Sequence, residues 1–248
     1  MKRTVVSHFY NEEYLLPWWL NHHKQVFHHG ILIDYHSTDR SREIIQKICP
    51  TWEIITTRNQ LFEATAVDIE VMKIEAELDG WRMCLNVTEQ LIGDYQALDD
   101  GKLDQYGVPC MTFIDDNNSQ PDINVPLYQQ FKHGANWNEA YFLRMSRSIH
   151  RKPIEYVTGR HFHSVDMTIS NSLAVLYYGW CPYNEIVIQR KISMGDHMDD
   201  TCTNGRHHIT TREELNKRFQ DEILPWRRDQ SQLLQQYIHK HEQTKIII

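Results

Sequence analysis

Apolar and polar positions in the first ninety residues alternate between two periods. Short β-branched or aromatic runs have the composition of strands: TVVSHF at 4–9, ILI at 31–33, WEIITT at 52–57 and WRMCLNV at 81–87. Between them apolar residues recur at helical spacing. The first interval carries Leu15, Leu16, Trp18, Trp19, Leu20 and Phe27, SREIIQKIC carries Ile44, Ile45 and Ile48, and FEATAVDIEVMKIEAEL at 62–78 is helical throughout by composition. Asn11 is placed to cap the first helix, with Glu12 and Glu13 in its first turn, and Pro17 is compatible only near that turn. Ser37 or Thr38 is placed to cap the second helix, while Gly30, Pro50 and Gly80 end the helical stretches. Four strands separated by helices predict a largely parallel, Rossmann-like sheet over residues 1–92.

Beyond residue 93 the pattern is less regular. Residues 94–106 are polar, a loop or short helix, and VPCMTFID at 108–115 predicts a fifth strand ending in Asp115 and Asp116. Turn formers fill 117–126. HFHSVD and SLAVLYY, within 160–178, predict two more strands, and ISMGDHMDDTCTNGRHH at 192–208 an irregular loop. Thr210 or Thr211 then opens a polar helix, TREELNKRFQDEILPW, through a capping box with Glu214, and the tail KHEQTKIII shows no terminating element. No repeat is present. The predicted plan is one α/β domain over 1–248, with a sheet half at 1–92 and a mixed half at 93–248 that includes the late helix.

Hydrophobic residues at 41% and charged residues at 24% are ordinary for a soluble globular chain. No apolar run approaches the roughly 20 residues that cross a bilayer, and the N-terminus lacks the apolar core of a secretory signal. The expectation is a cytoplasmic protein without a transmembrane segment. A net charge of −7 disfavours nucleic acid as a partner. Five scattered cysteines without a CxxC pair speak against a disulfide framework or structural zinc and for a reducing compartment. Of the 15 histidines several are adjacent, His22-His23, His28-His29 and His207-His208, and adjacency favours structural over metal-binding roles.

In open parallel sheets ligands bind beyond the carboxyl ends of the strands. ILIDYHSTDRS at 31–41 sets Asp34, Tyr35, His36, Ser37, Thr38 and Asp39 at such an end, and TVVSHFYNEE sets Tyr10, Asn11 and Glu12 at the neighbouring one. Asp34 is positioned to accept from a base or a ribose; a turn-and-cap role for 34–39 stays equally open.

The two motifs, in this order and spacing, resemble the opening of inverting nucleotide-sugar glycosyltransferases of the GT-A, family 2 type, where "NE" after strand one precedes a "DDGSTDGT"-like loop. The resemblance covers residues 3–93 well and the remainder weakly. It is closest to a branch from bacteria and large DNA viruses that carries aromatic residues and histidines after the first motif, here LLPWWLNHHKQVF.

The resemblance implies a GT-A fold, a mostly parallel central sheet flanked by helices with a mixed acceptor-side half. It implies a UDP-, GDP- or dTDP-sugar donor and a hydroxyl acceptor on a glycan. Tyr10, Asn11 and Glu12 would wall the nucleotide site and Asp34 would contact base or ribose. Tyr35 and His36 stand where the family has its second aspartate and its glycine. Arg58 and Asp68 stand where members read the base, a surface ion pair being the alternative. The resemblance further implies Mn²⁺ or Mg²⁺ on an Asp-x-Asp after strand four. Here that place reads Asn86-Val87-Thr88-Glu89, which leaves Asn86 and Glu89 as donors, joined by His208 from the late loop with Arg206 beside the diphosphate.

Inversion also needs a base. Asp115, Asp116, Asp166, Asp196, Asp199 and Asp200 are available, and Asp116 is preferred because a strand end holds a side chain rigidly. Two other readings stand beside the transferase: a metal-dependent hydrolase built on His161, His163, Asp166 and His207 or His208, and a nucleotide-sugar-binding module without turnover.

Overall fold

In the computed structural model, which describes residues 1–99, 102–116, 120–136, 146–160, 167–198 and 208–246, the four early apolar runs form parallel strands. β1 (Arg3–Phe9) lies between β2 (His29–Asp34) and β4 (Trp81–Cys84), and β3 (Glu53–Thr56) flanks β2. Alternate residues of one strand serve opposite faces. Val5, Leu32 and Met83 pack under α1 (Leu16–His23) and α2 (Ser41–Ile48) with Trp19, Leu20 and Ile45. Val6, Ile33 and Cys84 face α3 (Ala64–Ala76) and its Val67 and Val71. Burial on both faces is why these strands read as continuous apolar runs.

The second half adds β5 (Glu89–Gly93), β6 (Gln105–Ile114), the single turn α4 (Leu127–Gln130), β7 (His133–Asn136) and β8 (Ser146–His150). β9 (Leu173–Trp180), α5 (Glu185–Gly195), α6 (Arg212–Arg218), β10 (Arg228–Asp229) and α7 (Ser231–Thr244) follow. β8 pairs antiparallel with both β4 and β6, so the sheet continues across it. β6 also pairs with β7 and runs parallel to β9, whose other edge is β5. The architecture is thus a large mixed sheet, parallel on one side, with helices around it.

Several boundaries differ from the sequence pattern. The first helix begins at Leu16, which puts Pro17 in its first turn and releases Asn11, Glu12 and Glu13 into a loop. The second begins at Ser41, leaving Ser37 and Thr38 in the loop before it. The fourth strand stops at Cys84, and Glu89 instead opens β5, a short buried strand that the sequence pattern does not separate. α5 takes Ile192 to Gly195, read from sequence as loop, because the Asn184 side chain accepts the Val187 N–H at 3.0 Å and starts a helix there. The capping box at Thr211 and Glu214 is present. HFHSVD at 161–166 lies outside the described residues.

His22 and His23 prove structural. The His22 Nε2 donates to the Leu91 carbonyl at 2.7 Å and the His23 Nε2 accepts the Leu91 N–H at 3.2 Å, so α1 satisfies the β5 backbone on the side away from β9. Cys49, Cys84, Cys110 and Cys181 are buried thiols, and among the described residues no helix is long and apolar enough to cross a membrane.

Candidate functional site

The loops after β1 and β2 are laced together by the side chains that drew attention in the sequence. Asn11 Oδ1 accepts the N–H groups of Thr38 (2.8 Å) and Asp39 (3.3 Å), and the Asn11 N–H donates to Ser37 Oγ at 3.1 Å. The Glu12 N–H donates to Ser41 Oγ and the Glu13 N–H to Asp39 Oδ2, both at 2.9 Å. Asp34 closes its own loop, accepting the Ser37 N–H at 2.9 Å and Arg42 Nη1 at 2.7 Å. In these loops Asn11 at φ 50° and His36 at φ 62° take left-handed backbone, as does Arg160 at φ 57° elsewhere in the site. Asparagine tolerates that region through local hydrogen bonds. His36 stands where the resembled motif has glycine and occupies that backbone region, with its side chain exposed to solvent.

The ends of β1, β2 and β4 open on a cavity of about 550 Å³. Tyr10, Glu12, Tyr35, Asn86 and His208, all expected from the sequence, line it, as do His8, Tyr177, Arg160, Arg190, Lys191 and His197. Tyr10 stacks on His197 with centroids 4.1 Å apart. The Tyr35 hydroxyl donates to Glu70 Oε2 at 3.2 Å and accepts from Asn59, and burial pushes it up to about 12.

The other expected residues stand behind or outside this lining. Asn11, Asp34 and His36 form the laced loops. Arg58 is exposed, with its backbone N–H on Glu70. Asp68 is buried behind Arg160, accepting the Gly159 N–H at 2.7 Å and pairing with the guanidinium; burial pushes its carboxyl up against the pull of Arg160. Asp116 is exposed at the end of β6, 3.8 Å from Arg227 Nε.

Cations dominate one wall. Arg160 Nη2 donates to Asn86 Oδ1 and to His8 Nδ1, both at 3.3 Å. Burial, then Arg160, Arg147 and Arg190, hold His8 well below the usual histidine range. Arg190 grips Glu12 with two nitrogens, Nε at 2.7 Å from Oε2. Lys191 lies over the Trp180 ring, its ammonium 3.9 Å from the centroid. Burial first, then Arg190 and Arg218, push that ammonium down to about 7.

The implied divalent ion can be tested against its proposed donors. Glu89 is fully buried, and both its oxygens accept from Arg147 Nε at 3.0 Å, with Nη2 adding a third contact. Its Oε2 also accepts the Asn86 N–H at 2.8 Å. The Asn86 amide oxygen is already on Arg160. Two guanidinium groups therefore occupy the positions from which a divalent ion would be held, and like charges at such range repel strongly. Among the described residues no group of three His, Cys, Asp or Glu is gathered to hold an ion. The set formed by Asn86, Glu89 and His208 does not fit the metal as arranged here. His161, His163, Asp166, Asp199, Asp200, Arg206 and His207 lie outside the described residues.

Arg147, Arg160, Arg190 and Lys191 are the residues that sequence reasoning missed. For Arg190 and Lys191 a signal existed: Asn184-Glu185 is a cap and first turn, and Ile188 with Ile192 marks the inward face of the helix that follows. Arg147 and Arg160 carry no local signal, because the pairing of β8 with β6 places the first and contacts with Asp68, 92 residues away, place the second.

No family model and no curated protein matches the chain. Among solved structures, S. aureus TarS 1–349 in complex with UDP is similar over 90% of this chain and 73% of that one, at 12% identity and a TM-score of 0.42. A second structure, of S. aureus TarS, is similar over 49% of this chain, at 15% identity and a TM-score of 0.34, and this chain covers only 23% of its length. HddC from Yersinia pseudotuberculosis is similar over 71% of this chain and 77% of its own, at 14% identity and a TM-score of 0.31.

Proposed function

We propose that the chain transfers a sugar from a nucleoside-diphosphate sugar to an acceptor hydroxyl, on another sugar, with inversion at the anomeric carbon. One observation carries this reading: the two motif loops are bound to each other and open on a cavity of about 550 Å³ at the strand ends, with aromatic residues and cations among its lining. Its volume is in the range of small-molecule sites, and strand ends are where open α/β sheets bind nucleotides. Tyr10, stacked on His197, is the aromatic residue set to meet a base or sugar, while Arg160, Arg190 and Lys191 lie on the wall suited to phosphates.

In the proposed reaction the acceptor oxygen attacks the anomeric carbon from the face opposite the diphosphate. The bond from that carbon to the phosphate oxygen breaks, its electron pair leaves with the nucleoside diphosphate, and the hydroxyl proton passes to a base. Asp116 remains the proposed base. It follows two residues after Ile114, which pairs with Trp180, the ring beneath Lys191.

Thermal unfolding against UDP-, GDP- and dTDP-sugars tests the proposal. A donor at 100 times its Kd adds about 2.7 kcal/mol, which in a chain of this size raises Tm by about 5–10 °C. The donor that shifts Tm is then given a glycan acceptor, and release of the nucleoside diphosphate with an inverted product is expected. No shift with any of the donors refutes the reading.

A further inference from the structure

The geometry points to Arg160, Arg190 and Lys191 as a fixed cationic cradle that binds the donor diphosphate where the resembled glycosyltransferases use a divalent ion, an inference that rests on the nucleotide-sugar reading above. Each of the three lines the same cavity. Arg160 is tied to Asp68, and Arg190 to Glu12, so both guanidiniums are held in place by one carboxylate each. Among the described residues Lys191 makes no ion pair of its own: its ammonium lies over the Trp180 ring, and Glu12, already gripped by Arg190, acts on it through space. Three cations against two carboxylates leave this wall with one unbalanced positive charge whenever Lys191 is protonated.

A diphosphate bridging the three groups would be met by charge that is already oriented. Preorganised charge stabilises a leaving diphosphate as it develops in the transition state, without reorganisation at the moment of reaction. Arginine is suited to this because it keeps its charge when buried and has donors to spare beyond those its carboxylate takes. The replacement of the Asp-x-Asp carboxylates then has a physical sense. Asn86 presents an amide oxygen that Arg160 uses, and Glu89 neutralises Arg147 behind the wall, so the same positions that would bind a metal instead hold up a guanidinium. Burial, Arg190 and Arg218 hold the Lys191 ammonium at about 7, so an anion bound beside it would favour its charged form.

The experiment is calorimetric titration of UDP, GDP, dTDP and inorganic pyrophosphate into the full chain, in excess EDTA and again with Mn²⁺. Pyrophosphate and at least one nucleotide are expected to bind in EDTA with Kd within threefold of the Mn²⁺ value. Lys191→Met, which keeps an unbranched stem over Trp180, is expected to weaken both ligands at least tenfold, while Lys191→Arg stays within threefold. Tm of each variant checks folding. Binding that appears only with Mn²⁺, or Lys191→Met binding as tightly as the unaltered chain, overturns the cradle and leaves the nucleotide-sugar reading standing. Absence of nucleotide binding under both conditions removes that reading and the cradle with it.

Discussion

Replacing Glu89 by glutamine separates a wall residue from a metal ligand. Glu89 and Arg147 are 0% and 2% exposed, and the guanidinium makes its main contacts with this one carboxylate and with the Gly159 carbonyl. Glutamine is nearly isosteric and still accepts the Asn86 N–H, but it removes the charge that compensates Arg147. Breaking a buried pair from one side costs about 3–5 kcal/mol, because the remaining charge cannot be hydrated. In a chain of this length each kcal/mol moves Tm by about 2–4 °C, so Tm should fall by about 6–20 °C. The assay is thermal unfolding without nucleotide or metal, paired with urea unfolding to check that the m-value is unchanged. The double variant Glu89→Gln/Arg147→Met removes both charges and should recover at least half of the loss. A Glu89→Gln protein that melts within about 2 °C of the unaltered chain yet has lost turnover would refute the reasoning and return Glu89 to the chemistry.

Three further outcomes are expected. His22 and His241 stack at 4.9 Å; burial first, then each other's charge or that of Lys245, pushes them down to about 3 and about 4. Because unfolded histidine takes up protons near 6.5, stability is complete above that value and falls as pH drops toward 4; each ring should cost about 2 kcal/mol at pH 5, read as a urea midpoint falling between pH 7 and 5 and abolished in part by His22→Gln. Asn11→Ala loses two accepted hydrogen bonds and strains a φ of 50°, whereas Asn11→Gly loses only the bonds; the alanine variant should be less stable by about 1–3 kcal/mol than the unaltered chain and the glycine variant should fall between them, the reverse order refuting the backbone account. Lys191, near 7 when free, must gain a proton to meet a diphosphate, so above pH 7 nucleotide affinity should fall by up to about tenfold per pH unit, and a flat profile between pH 7 and 9 would show that Lys191 does not touch the phosphates.

The opening αβ pattern was legible because each element there follows local rules. Parallel strands buried on both faces must be apolar throughout, helices between them must show a 3.6-residue stripe, and the order of four such units leaves few ways to pair them. The motif loops were legible as a place. Their roles were not, since Asp34, Asn11, Ser37 and Asp39 bond to partners 2 to 28 residues away, and whether a carboxylate faces a ligand or a backbone N–H depends on loop conformation. A small set of polar residues can hold a loop or hold a nucleotide with the same chemistry.

By itself the sequence determined the parallel half, the position of the strand-end loops, the capping box at Thr211 and that residues 86–89 hold one carboxylate, Glu89. Only the tertiary structure decided which charges pair around the cavity. Arg147 lies 58 residues from Glu89, Arg160 lies 92 from Asp68, and Arg190 lies 178 from Glu12. Such pairs leave no trace in local periodicity, because a buried charge is set by the partner that makes its burial tolerable, and that partner arrives only when the sheet has closed around it.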